Sequence, residues 1–223
     1  MMFDGTFRIL PSRRRRRIMF RIADDGILEL LTPPGIGEET CRKLVENNQT
    51  LIAEMYRRFA ARPLPVCYDF VEGEAFPLWD NRPVLKFFTR LALMTEEEVL
   101  IPRKSRADML KTMEQLYRQK AVELLPERCR FFGEARRLIP RSIGVTGAVT
   151  RWGSCNSCKH ISFCWKIMLL PGELADYIIC HELAHLRHLD HSPAFWALTE
   201  TLCPDAIAKR KKLKELPELW ATP

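Results

Sequence analysis

A chain of 223 residues with 47% apolar and 28% charged side chains can bury a sizeable core, which excludes wholesale disorder. Its apolar runs, such as ISFCWKIMLL at 161–170 with Lys166 inside it, are too short to span a bilayer. No charged leader precedes an apolar signal core, so no membrane partner and a cytoplasmic location are expected. The formal charge of +7 favours acidic partners, nucleic acid included, through long-range attraction, but a net charge locates no site.

In chain order, RRRRRIMFRIADDGILELLTPPG sets Ile18, Phe20 and Ile22 at period two, then Asp25-Gly26, then a second apolar run closed by Pro33-Pro34. That pattern predicts a β-hairpin. The arginines at 13–17 read as a charged strand start that discourages edge pairing; a nucleic-acid patch or localisation signal is the alternative. Over 38–58, Leu44, Val45, Leu51, Ile52 and Met55, with Phe59 just beyond, recur at helical spacing, and one amphipathic helix is predicted. Residues 62–68 form a proline-bearing connector. EAFPLW, RPVLKFF and EEVLIP, between 69 and 102, read as short strands.

Ser105 followed by Asp108 resembles a capping box, and Met109, Met113, Leu116, Tyr117, Ala121, Leu124 and Leu125 supply the apolar stripe of the longest helix, expected to break or kink near Pro126. The runs SIGVTGAVTRW and ISFCWKIMLL flank the polar GSCNSCKH and read as a second hairpin. It leads through Pro171-Gly172 into a helix over about 173–189. A further helix is expected at 193–203, and the basic tail KRKKLKEL adds a turn or two. The sum is an α+β fold, with a small β-rich region carrying one helix at 1–102 and a second domain at 103–223. The eight cysteines, Cys41, Cys67, Cys129, Cys155, Cys158, Cys164, Cys180 and Cys203, would meet a reducing compartment and read mostly as buried thiols.

HELAH at 181–185 puts His181 and His185 four residues apart on one helix face, where both imidazoles reach one ion. Glu182 points to a neighbouring direction, from which it can reach a water on that ion. Imidazole nitrogens suit zinc, and three protein ligands leave a fourth position for water, whose pKa then falls to about 7. The glutamate takes the proton and returns it to the leaving group, which is the chemistry of amide hydrolysis. HExxH also arises by chance on solvated helices. Here it interrupts the apolar YIICHELAHL, where unpaired imidazoles and a carboxylate are costly to bury without a purpose.

RWGSC at 151–155 and DYIICHELAHLRHLDHSPAFW at 176–196 resemble the YgjP-like metallopeptidase domain, a zincin group similar in turn to SprT-type peptidases. The resemblance implies a zincin-like catalytic domain built around the HExxH helix. It also implies Zn2+ held by His181, His185 and His191, Glu182 as catalytic base, and a peptide or protein substrate. His188 shares a face with the first two histidines if the helix continues. A metal shared by those two would sit about five residues back along the axis, roughly 7 Å at ~1.5 Å per residue. Asp190 and Ser192-Pro193 offer turn and helix-start signals that let the chain swing His191 beneath the ion. Glu200, on the next helix, is a third candidate ligand, but it is expected to face solvent instead.

Arg151 or Tyr177 could stabilise a tetrahedral oxyanion, and 147–152 is the candidate edge strand for a substrate backbone. Cys155, Cys158, His160 and Cys164 could form a second, structural zinc site; a turn with one exposed thiol and two core cysteines is the simpler reading. Two rival functions keep the metal. One is hydrolysis of a phosphate ester or other non-peptide bond, and the other is a basic nucleic-acid-associated module with a structural zinc. Glu182 argues against the second, since a structural site needs no base. The sequence leaves the oligomeric state open.

Overall fold

The computed structural model describes residues 3, 5–23, 25–60, 66–88, 90–148 and 151–216. It has a mixed α and β architecture with six α-helices and three small sheets among those residues, and it divides into two compact units, Met1–Pro63 and Leu64–Pro223.

In the first unit, β2 (Met19–Ile22) and β3 (Leu28–Thr32) form the expected hairpin, pairing antiparallel from Met19 opposite Leu31 to Ile22 opposite Leu28. Gly26 takes the turn's positive φ of 83°, a conformation that costs glycine nothing. A strand not expected from the sequence, β1 (Phe7–Pro11), runs parallel to β3 on its other side. Its terminal proline is tolerated because the strand lies at a sheet edge. The arginines at 13–17 sit in the connection between β1 and β2. The single helix expected over 38–58 is two, α1 (Glu38–Asn47) and α2 (Gln49–Ala60). Asn48 separates them: its Nδ2 donates to the Leu44 carbonyl at 2.7 Å, the local competition for backbone groups that makes asparagine a poor helix-interior residue. Leu28, Leu30, Cys41, Val45, Ile52 and Tyr56 form the core of this unit.

The second unit begins with strands β4 (Val84–Phe87), β5 (Leu93–Met94) and β6 (Glu98–Ile101), in the order β4-β6-β5. EAFPLW makes only the isolated bridges Ala75–Val84 and Leu78–Asn81, since Pro77 cannot donate to a ladder. Helix α3 (Arg106–Gly133) starts where expected, with Ser105 Oγ accepting the Asp108 N–H at 3.3 Å. It runs on through Pro126. The ring removes the donor that would meet the carbonyl of residue 122, and Val122 is exposed, so the loss falls on the solvated side of the helix.

The second hairpin is narrower than expected. β8 (Gly153–Cys155) and β9 (His160–Cys164) pair antiparallel, while β7 (Ser142–Thr146) runs parallel to β9 on the far side. After Cys164 the chain turns into a buried 3-10 segment, Trp165–Leu169, instead of extending the strand. Helices α4 (Gly172–Ala184), α5 (Pro193–Leu202) and α6 (Ala206–Glu215) complete the unit.

One core joins Phe76, Leu85, Val99 and Ile101 with Met113 and Tyr117 of α3, Phe163 of β9 and Ile179 of α4. The boundary expected after 102 therefore cuts through a shared core, and the division falls at 63 instead. Strands as short as β4 to β6 bury too little apolar surface to stand apart from the helix they cover. The connector at 62–68 lies partly outside the described residues. No helix among the described residues is long and apolar enough to cross a membrane.

Candidate active site

Helix α4 is buried along most of its length, Glu182 included. It ends at Ala184, short of the expected 189, with His185 as its C-terminal cap. The His188 N–H still reaches the Ala184 carbonyl at 3.0 Å. Beyond it the chain turns, Asp190 Oδ1 accepts the Ser192 N–H at 3.3 Å, and Ser192 caps α5 by accepting the Phe195 N–H at 3.4 Å. Pro193 occupies the first turn of α5, where its missing donor costs nothing.

This path returns His191 to the helix it left. His181, His185 and His191 each offer a ring nitrogen, and the three lie within 4.8 Å of one another. His181 Nε2 and His191 Nε2 are 3.2 Å apart. His185 Nδ1 is 2.9 Å from the His188 carbonyl; as donor it fixes the neutral tautomer with Nε2 free, a backbone support typical of metal-ligating histidines. His188 contributes that carbonyl, and its ring is outside the cluster. All three rings pack on Phe195, with centroids at 4.9, 4.5 and 4.8 Å for His181, His185 and His191. Phe195 is fully buried and forms the floor of the cluster. It was not anticipated as a site residue, although its place one turn into a capped helix after His191 was a legible signal.

Burial, then the fields of His185 and His191, lower the His181 pKa to about 3, and burial lowers that of His185 as well. Neutral imidazole is the form that binds metal. Two bonds of ~2.0–2.1 Å to a tetrahedral ion set their nitrogens about 3.3 Å apart, close to the His181–His191 separation. An all-imidazole donor set suits a borderline ion such as zinc better than calcium or magnesium. The residues fit a transition-metal ion, and His181 Nδ1 has no hydrogen-bond partner among the described residues.

Glu182 lies against β8. A side chain on Gly153 would put its Cβ 2.7 Å from both Cγ and Oε1 of Glu182, so the strand can approach only because that position is glycine. The residue is 5% exposed and its Oε2 has no hydrogen-bond partner among the described residues. Burial pushes its pKa up to about 7, with Arg151 pulling the other way. A cleft of about 380 Å³ opens over Trp152, Gly153, Tyr177, His181, Glu182 and His191. Tyr177 borders it one turn before His181, at 5.8 Å between ring centroids, and burial raises its hydroxyl pKa. Arg151 is exposed beside β8.

The other expected groups are occupied elsewhere. Glu200 accepts the N–H groups of Asp205 at 2.7 Å and Ala206 at 3.0 Å, supporting the start of α6. His160 lies between Ser142 at 2.7 Å and Ser162 at 3.0 Å. Cys164 donates to the Ala148 carbonyl at 3.1 Å and Cys158 is exposed, so the loop cysteines form no second metal cluster among the described residues. The candidate substrate strand at 147–152 includes 149 and 150, outside the described residues; β8, next along the chain, is the sheet-edge strand beside Glu182.

A family model described as the YgjP-like, metallopeptidase domain matches residues 16–216. The chain belongs to that metallopeptidase family, and membership supports a metal-dependent hydrolase. Among solved structures, the metallopeptidase zymogen of Pyrococcus abyssi abylysin is similar at 22% identity, covering 44% of this chain and 99% of that one with a TM-score of 0.35. No curated protein matches.

Proposed function

We propose that the chain is a zinc-dependent peptidase, with His181, His185 and His191 holding the ion and Glu182 acting as general base. One observation carries the reading: three ring nitrogens converge next to a buried carboxylate whose Oε2 has no partner among the described residues, and His181, Glu182 and His191 line one cleft. When bound, zinc supplies Lewis acidity that polarises the scissile carbonyl and eases deprotonation of water. The chain's own residues do the rest. Glu182, raised by burial toward neutrality, accepts a proton at Oε2 and returns it to the leaving amine. Phe195 holds the three imidazoles at fixed angles, so little reorganisation is needed. Tyr177, which lines the cleft, and Arg151, exposed just before β8, are the groups available to stabilise a developing oxyanion.

Glu182→Gln keeps the shape of the side chain and removes its basicity. It should bind zinc as wild type does and lose at least about a hundredfold in peptide turnover, the usual scale of a general base. Wild-type turnover in the variant, or loss of its zinc, would show that Glu182 has another role.

A further inference from the structure

Helix α6 supplies a further wall of the cleft. Arg210, Leu213 and Lys214 of α6 line it together with Gly153 and Glu182, at the three- and four-residue spacing that puts side chains on one helix face. Other basic residues of α6 are engaged differently. Lys209 donates to Cys203 Sγ at 3.3 Å and to the Pro204 carbonyl at 2.9 Å. Lys212 pairs with Glu173 at 3.0 Å. Arg210 and Lys214 have no carboxylate partner among the described residues, though like charges four apart on a helix repel. The Arg210 guanidinium is held over the Trp196 ring, 5.1 Å from its centroid, and that ring is 6.0 Å from His181 and 5.9 Å from His191. Stacking fixes the cation in place while leaving its N–H donors free. With ~3.3–3.6 Å per extended residue, it stands within about three residues of a peptide bond presented to the histidines.

We infer that Arg210 and Lys214 recognise a carboxylate on the substrate, so that the cleft selects peptides with an acidic side chain, or a free C-terminus, within about three residues of the bond at the histidine cluster. The inference rests on the peptidase reading, because a metallopeptidase cleft makes a peptide carboxylate the anion to be matched. A guanidinium and an ammonium on one wall suit it, through charge-assisted hydrogen bonds from Arg210 and a flexible point charge from Lys214.

Binding and cleavage can be measured separately. Zinc-loaded full-length Glu182→Gln protein is titrated with fluorescent decapeptides in which Glu, Gln or Lys is walked through the central positions, with both ends blocked. A further Gln peptide has a free C-terminus. The Glu peptides should bind about tenfold tighter than the Gln peptides at low salt, with the preference shrinking as salt is added. Arg210→Glu with Lys214→Glu should reverse it in favour of Lys, and Arg210→Gln with Lys214→Gln should abolish it. Tight binding of the free-acid peptide alone would identify the terminal carboxylate as the ligand. Equal binding of all peptides, no measurable binding of any, or an acidic preference that survives charge reversal would overturn the inference. If the preference holds and wild-type enzyme cleaves none of the peptides, the peptidase reading fails and the carboxylate recognition stands.

Discussion

Gly153 and Glu182 occupy one space between them. Gly153→Ala forces its methyl group to within 2.7 Å of the glutamate, so the carboxylate must move or β8 must retreat. Turnover should fall by one to two orders of magnitude, about the effect of a 1 Å misplacement, with zinc affinity near wild type because no histidine is touched. Glu182 also leaves a thermodynamic signature in the metal-free protein. Its carboxyl is raised from 4.5 to about 7 on folding, so the folded state holds the proton more tightly, and stability from this group is lost as pH rises from about 4.5 through 7. Glu182→Gln removes that loss. Its denaturation midpoint should exceed that of wild type above pH 7 and converge on it near pH 4; equal midpoints throughout would mean the carboxyl is not perturbed. The third ligand is tested by single alanine substitutions of His188, His191 and Glu200, of which only His191→Ala should release zinc readily. That His181 and His185 share one helix face and can approach one point was legible from spacing alone, and their ring nitrogens do cluster. His191 needed the resemblance and the turn signals around it, and Phe195 went unread because an aromatic at that place is ordinarily core.

At the scale of elements, helix starts were the easiest features to read, because a cap is a local hydrogen bond between near neighbours: Ser105 and Ser192 begin α3 and α5. Sheet partners were the hardest. β1 and β7 each pair parallel with a strand far along the chain, and parallel pairing leaves no turn in the sequence. The buried turn Trp165–Leu169 resembled a strand because a continuous apolar run has no period to distinguish them. The cap on α5 also has a functional consequence. Ser192 sits beside His191 and sets the first turn that carries Phe195, so Ser192→Ala should cost about 1 kcal/mol of stability and weaken zinc binding by up to about fivefold. A calorimetric zinc titration beside a melting curve measures both.

For the whole molecule, the division at 63 predicts which fragments fold. Residues 64–223 should unfold cooperatively on their own, whereas 103–223 should not. The shorter piece lacks Phe76, Leu85, Met94, Val99 and Ile101 of the shared core, each worth about 1.5–3 kcal/mol when buried, against a total stability of about 5–15 kcal/mol. Denaturant titration of the two fragments decides it. The basic arginines at 13–17 and the lysines of α6 fall in different units, and the net charge gave no hint of that partition.

The helix that carries the basic wall of the cleft is anchored by a residue that does not line the cleft. Glu200, near the end of α5, holds the N–H groups of Asp205 and Ala206, and Asp205 turns the chain into α6 at a positive φ of 60°. By accepting those two N–H groups, this carboxylate anchors the turn from which α6 starts, and α6 carries Arg210 and Lys214 on the cleft wall.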